Sequence, residues 1–294
     1  MIKQLGVAVG LLAAAWQATA VEATFEPVTG TPFVADYSRG TKQGDYGIIV
    51  LEGSRGGQSN HLASKVAGLG YPVLSVAYFR APGLPPALDR LPLEYFDAPR
   101  QWLLQQPETR TDGVILLGWS KGAELALLLA AHHQEYAGVA AIAPSSVVWA
   151  APAQASQPAS VSSWSLAGES LPFVPLNAPL AEREGLLAAF VAGLEDRDAV
   201  EQARIPVERI AGPVLLLSGE DDRIWPAARM GDQICNRMPD DACTHIRYPE
   251  AGHLLDPGFK MGGTVKVNTE AERAVRQELA RFLHRLNSSS EHGR

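Results

Sequence analysis

"GVILLGWSKGAELALLLAAHH", residues 113–133, decides how this chain is read. Its first third is a run of Val, Ile and Leu bounded by glycines, the pattern of a parallel strand covered on both faces. From Lys121 onward, Glu, Ala and Leu form a helical pattern. Ser120 therefore stands at a strand-to-helix junction, with Gly118 two positions before it and Gly122 two after. A nucleophile at such a junction sits on a sharp turn that leaves no room for neighbouring side chains, which is why glycine flanks it on both sides. The helix N-terminus also places partial positive charge where an oxyanion would develop. Gly-x-Ser-x-Gly alone is a weak signal, since glycine and serine are common in tight turns. Strand before and helix after is the context that makes Ser120 a candidate nucleophile.

Outward from that point, the same alternation continues. Short apolar runs at 46–53, 71–79, 113–118, 139–144, 213–219 and 244–249 read as strands, and 60–69, 92–106, 120–133, 227–238 and 270–286 read as helices. The order implies an α/β fold: a mostly parallel sheet with helices on both faces. The interruption is 145–205, rich in Ala, Ser and Pro, which reads as a lid-like insertion over the sheet edge. A single domain over 21–294 is expected, with apolar side chains of the insertion lining a pocket.

Length and composition fit that picture. The 294 residues are 46% hydrophobic and 19% charged, ordinary for a globular protein. A formal charge of −7 argues against nucleic acid or an anionic membrane as partner. Residues 1–20 carry Lys3, an apolar run from Leu5 to Trp16 and the small-x-small ending Ala18-Thr19-Ala20. That is the signature of a cleavable secretory leader, and the run is too short for a stable membrane span. A secreted or periplasmic location is therefore expected. Cys235 and Cys243, the two cysteines, flank a Pro-Asp-Asp turn, and in an oxidising compartment they are expected to form a disulfide.

A serine nucleophile needs a base and an acid, in the chain order Ser, acid, His for this kind of junction. Of seven histidines, His132 and His133 ride the helix behind Ser120, His61 opens an early helix, His245 lies in a strand, and His284 and His292 lie near the C-terminus. His253 alone occupies a loop after a late strand, in "YPEAGHLLDP", with Gly252 giving a tight bend. A general base needs that freedom to approach from above the sheet. The acid belongs to the loop after the preceding strand, where "SGEDDRIW" offers Glu220, Asp221 and Asp222, and the spacing does not choose among them. For the oxyanion, the N–H of Lys121 is one donor and that of Ser54, in "LEGSRGGQ" (51–58), is the second. Neither phosphate-loop fingerprint, G-x-G-x-x-G nor G-x-x-x-x-G-K-[ST], is present, and the Lys121 side chain is expected to lie outside, near Glu124. No metal and no cofactor are called for.

"LLGWSKGAELAL", "LPLEYFDAPRQWLLQQPE" (91–108), "IPVERI" (205–210), "GEDDRIW" (219–225) and "YPEAGH" (248–253) together resemble the C-terminal hydrolase domain of the acyl-CoA thioesterase and bile-acid-CoA:amino-acid N-acyltransferase family. The resemblance implies an α/β-hydrolase fold, and it singles out the second Asp before the tryptophan, Asp222, as the acid. It implies hydrolysis of an acyl thioester through an acyl-enzyme, since the thioesterase branch carries serine where the transferase branch carries cysteine. A carboxylesterase, a lactone hydrolase or an acyltransferase would use the same residues. The chain departs from the family pattern in its "GSRGG" loop, where relatives have an unbroken glycine run, and in its leader sequence. The expected partner is a small acyl ester or thioester; oligomeric state is not legible.

Overall fold

The computed structural model describes residues 23–152, 161–259 and 261–289. The leader expected at 1–20 lies outside them. In chain order the strands are β1 (Glu26–Pro27), β2 (Val34–Ser38), β3 (Asp45–Leu51), β4 (Val73–Ala77), β5 (Leu91–Pro92), β6 (Thr109–Trp119), β7 (Tyr136–Ile142), β8 (Trp164–Leu166), β9 (Glu169–Ser170), β10 (Val214–Gly219) and β11 (Cys243–Tyr248). The helices are α1 (Asn60–Ala67), α2 (Asp97–Leu104), α3 (Lys121–His132), α4 (Ala178–Glu184), α5 (Leu186–Gly193), α6 (Arg197–Gln202), α7 (Ala227–Cys235) and α8 (Val265–Ser289).

The main sheet runs β1-β2-β4-β3-β6-β7-β10-β11. From β4 to β11 every pairing is parallel, and β1 and β2 add an antiparallel margin. This is the α/β-hydrolase architecture. The continuous apolar runs follow from it, because alternate residues of one strand feed two cores. Ile48, Val50, Ile115, Leu117, Leu215 and Leu217 pack with α1 and α8 on one face. Ile49, Leu51, Leu116 and Leu216 pack with α3 and α7 on the other. Helix α3 is buried from Lys121 to Ala131, so it has no polar face to show.

The insertion is not draped over the sheet edge as expected. It leaves the end of β7, an interior strand, and returns to β10, so it rises above the middle of the sheet where Ser120 lies. Its base is tied to the main body twice. Strand β8 pairs with β5 in a small second sheet, and Trp149, Val174 and Leu194 form a core with Trp225 and Met230. The Cys235–Cys243 disulfide closes the turn between α7 and β11, with Cα atoms 5.3 Å apart. Among the described residues no helix is long and apolar enough to cross a membrane.

Candidate active site

Ser120 adopts φ 55°, ψ −124° between β6 and α3, a left-handed conformation for an L side chain. The two glycines explain how the chain gets there. A Cβ on Gly118 would lie 2.1 Å from the Gly122 carbonyl oxygen, and one on Gly122 would lie 2.3 Å from that of Leu51. Ser120 occupies the N-cap of α3, yet its hydroxyl caps nothing. Instead its Oγ lies 2.8 Å from Nε2 of His253.

His253 is 2% exposed, and its Nδ1 lies 2.7 Å from Oδ2 of Asp222. Asp222 is held in turn: its Oδ1 accepts from the backbone N–H groups of Ile224 (2.8 Å) and Trp225 (3.1 Å). The Trp225 ring stands edge-on to the imidazole at 5.4 Å. The histidine loop is fixed from outside, since Asn268 accepts from the Gly252 N–H at 2.9 Å and donates to the Gly262 carbonyl. The other two acids of the loop point elsewhere. Glu220 pairs with Arg247 at 3.0 Å. Asp221 accepts from the Gly263 N–H at 2.7 Å, a bond that with Arg223 holds its carboxyl below the ordinary range. A hydrogen-bonded line from carboxylate to imidazole to hydroxyl can pass the serine proton to the ring and stabilise the imidazolium that results.

The N–H groups of Lys121 and Ser54 have no partner among the described residues, and both residues line the same cavity as Ser120. Gly53 brings the loop close: a Cβ there would meet Ser120 Cβ at 3.2 Å. Reading the sequence missed what holds this loop. Buried Glu52 accepts from the N–H of Gly53 (3.0 Å), from Trp119 Nε1 (3.0 Å) and from Ser59 Oγ, while its carbonyl accepts from Tyr78. The acid-glycine pair in "LEGSRGG" was the available signal.

The Lys121 side chain does not lie outside. It is 3% exposed, and its Nζ donates to Glu124 Oε1 at 2.6 Å and to the Trp149 carbonyl at 3.2 Å. The same Glu124 oxygen accepts from Trp164 Nε1 (2.7 Å) and the Trp149 N–H (3.3 Å). Burial pushes the ammonium pKa down and the carboxyl pKa up, each against the pull of its partner. One turn of helix spacing allowed the pair, but burial came from the insertion folding over it.

A cavity of about 480 Å³ opens on Ser120. The insertion contributes Trp149, Leu176, Leu186 and Phe190 to its walls, and the histidine loop contributes Leu254 and Phe259. Such a lining suits an acyl chain.

Two other clusters have the right residue types and a different character. Ser218, His245 and Asp232 form a second hydrogen-bonded line (2.7 and 2.9 Å), but Ser218 is fully buried and none of the three lines the Ser120 cavity. That line ties β10, β11 and α7 together. His61, Asp256 and Glu272 lie close enough to share a cation, and the Lys65 ammonium already bridges both carboxylates.

Comparison with known proteins gives the family. Mouse (Mus musculus) mitochondrial acyl-coenzyme A thioesterase 2 is 30% identical over 266 residues, covering 83% of this chain and 56% of that protein. Mouse acyl-coenzyme A amino acid N-acyltransferase 1 is 26% identical over 266 residues, covering 83% and 61%. The chain thus spans little more than half the length of these relatives. Among solved structures, 2,6-dihydroxy-pseudo-oxynicotine hydrolase superposes with a TM-score of 0.56 at 16% identity, covering 91% of this chain and 69% of that one. At that identity the likeness speaks for the fold. The family described as BAAT / acyl-CoA thioester hydrolase C terminal matches residues 91–275, from the small second sheet through the histidine loop into α8, and the chain belongs to it.

Proposed function

We propose that this protein is a serine hydrolase that cleaves acyl thioesters. The observation that carries the reading is the Ser120–His253–Asp222 line, with its serine opening on an apolar cavity. In this reading His253 takes the Ser120 proton as Oγ attacks the acyl carbonyl, and Asp222 steadies the imidazolium. The N–H groups of Lys121 and Ser54 hold the oxyanion. Collapse of the tetrahedral intermediate returns the proton to the departing thiol, and water, activated by the same histidine, releases the acyl group. Family membership supports the thioester as the bond cleaved, and the apolar cavity supports an acyl chain as its cargo. We propose further that the protein works outside the cytoplasm, a view supported by the leader sequence and by the disulfide.

The test joins a probe with a substrate series. A fluorophosphonate should label the protein once, Ser120→Ala should abolish the label, and acyl thioesters should turn over with a chain-length optimum set by the cavity. Label that persists in Ser120→Ala would move the nucleophile elsewhere.

A further inference from the structure

The two candidate oxyanion donors lie on separate arms of the chain. Ser54 follows β3, and Lys121 follows β6. These neighbouring strands are paired as far as Leu51 and Gly118. Beyond that register pair, no backbone hydrogen bond joins residues 52–54 to residues 119–121 among the described residues. The arm that carries Ser54 also holds Gly56 and Gly57, both at positive φ, so its backbone leaves Ser54 to be fixed from elsewhere.

The side chain of Glu52 reaches both arms. Its Oε1 accepts from the Gly53 N–H and from Trp119 Nε1, each at 3.0 Å. Its Oε2 accepts from Ser59 Oγ, so one carboxylate clips residues 53–58 at both ends. Trp119 directly precedes Ser120, is fully buried, and stands edge-on to Phe259 at 5.3 Å, which makes it a fixed anchor. Arg55, with Nε 3.6 Å from Oε1, supplies the countercharge.

Packing alone does not ask for an acid at this position. Ile48, Ile49, Val50 and Leu51 before it are all fully buried, and Glu52 itself is 2% exposed. A leucine would continue that run, whereas a buried carboxylate is costly unless its oxygens are satisfied. What the acid adds is acceptors, and they hold the arm of Ser54 against the arm of Ser120.

We propose that Glu52 is a positioning residue of the oxyanion site: through its bond to Trp119 it sets the separation between the Ser54 N–H and the turn of Ser120 and Lys121. This rests on the hydrolase reading above and adds the group that makes two separate donors converge. Glu52 acts through its acceptors, because a bare negative charge would oppose an oxyanion; three donors and Arg55 spread that charge. A site with misplaced donors still binds substrate and loses the transition state, so the effect belongs to kcat and not to KM.

The test uses S-butyryl-N-acetylcysteamine as substrate and butaneboronic acid as inhibitor. The tetrahedral boronate adduct puts an oxygen where the oxyanion forms, so its affinity follows the oxyanion site whatever acyl group the protein prefers. Glu52→Met keeps the volume and offers no acceptor; kcat should fall about 100-fold, the scale of a misplaced oxyanion donor, with KM little changed and boronate binding weakened in parallel. Trp119→Phe breaks the same link from its other end and should cost about tenfold in kcat, the scale of one hydrogen bond to a charged group. The double variant should be no worse than Glu52→Met, since both changes remove one interaction. Glu52→Gln can keep all three bonds, its oxygen accepting from Gly53 and Trp119 and its amide donating to Ser59, and should recover most of the loss. Thermal melts report folding, and if Glu52→Met does not fold, Trp119→Phe and Glu52→Gln decide. A wild-type kcat in Trp119→Phe or Glu52→Met, a loss confined to KM, an additive double variant, or a Glu52→Gln faster than wild type would overturn the inference and leave the hydrolase intact. Wild-type protein that neither turns over substrate nor takes the fluorophosphonate label would overturn the hydrolase reading and this inference with it.

Discussion

Replacing Glu124 with Gln removes one charge from a pair that has no water around it. Glu124 is 0% exposed and Lys121 is 3% exposed, and they meet at 2.6 Å directly behind the candidate nucleophile. Glutamine keeps the shape and keeps an oxygen to accept from Trp164 and the Trp149 N–H, so the change isolates the charge. The ammonium is then left buried with neutral acceptors alone, the glutamine oxygen and the Trp149 carbonyl. Removing one partner of a buried pair destabilises by about 3–5 kcal/mol, a large part of the typical 5–15 kcal/mol that holds a domain folded. For a chain of this size that lowers the melting temperature by roughly 10 °C. Urea unfolding, read by tryptophan fluorescence, measures the difference directly.

The sign of the pH dependence follows from the same burial. Folding lowers the Lys121 pKa from its ordinary 10.5, and losing Glu124 lowers it further. Between the folded and unfolded values the unfolded chain binds more protons, so stability rises with pH across that window. The deficit of Glu124→Gln should therefore be largest near neutrality and narrow as pH climbs toward 10. The double variant Lys121→Met/Glu124→Gln removes the stranded charge while keeping the tryptophan acceptor. It should recover most of the loss, since buried pairs exchanged for neutral groups are often tolerated. A loss under about 1 kcal/mol in the single variant, or a double variant no better than the single, would refute the argument.

Two further outcomes are expected. Asp222→Asn should lower turnover by roughly 10⁴, the scale seen when a triad loses its carboxylate, whereas Asp221→Asn, which can still accept from Gly263, should cost far less; equal losses would remove Asp222 from its assigned role. Reducing the Cys235–Cys243 bond opens a short loop, and the chain-entropy model gives about 2–3 kcal/mol for it, so a calorimetric scan should show the midpoint fall by several degrees while fluorophosphonate labelling persists; an unchanged midpoint would show that the link carries no stability.

What could be read in advance was whatever local chemistry dictates. The six strand regions were legible because burial on both faces writes continuous apolar runs, and Ser120 because its turn demands glycine at 118 and 122. Strand β2, "VADYS", escaped because an antiparallel margin strand alternates polar and apolar residues and here offers only five of them. The choice of Asp222 over its neighbours came from family likeness. Its physical cause is a pair of backbone donors, Ile224 and Trp225, visible only once the loop is folded. Glu52 was hidden for a similar reason: two of its side-chain partners, Ser59 and Trp119, are 7 and 67 positions away.

The Lys121 side chain failed for the most instructive reason. An exposed i, i+3 pair on a helix is the ordinary reading, and the apolar residues on every other face of α3 were the one sequence signal against it. What buries the pair is the insertion, through Trp149 and Trp164, both bonded to Glu124. The insertion is thus not one kind of structure throughout. Its base is fastened by two tryptophans to the first turn of α3, whose N–H is a candidate oxyanion donor. Its upper part is thin: α4 and α6 bury no residue and α5 buries only Ala189. Exchanging side chains along that upper part should reshape the cavity wall with little consequence for the turn that holds Ser120, whereas a change at Trp149 or Trp164 acts on the scaffold of the candidate nucleophile. On the proposed hydrolase reading, substrate choice and catalytic geometry are thus written largely into different parts of the 71 residues between β7 and β10, with Trp149 alone serving both.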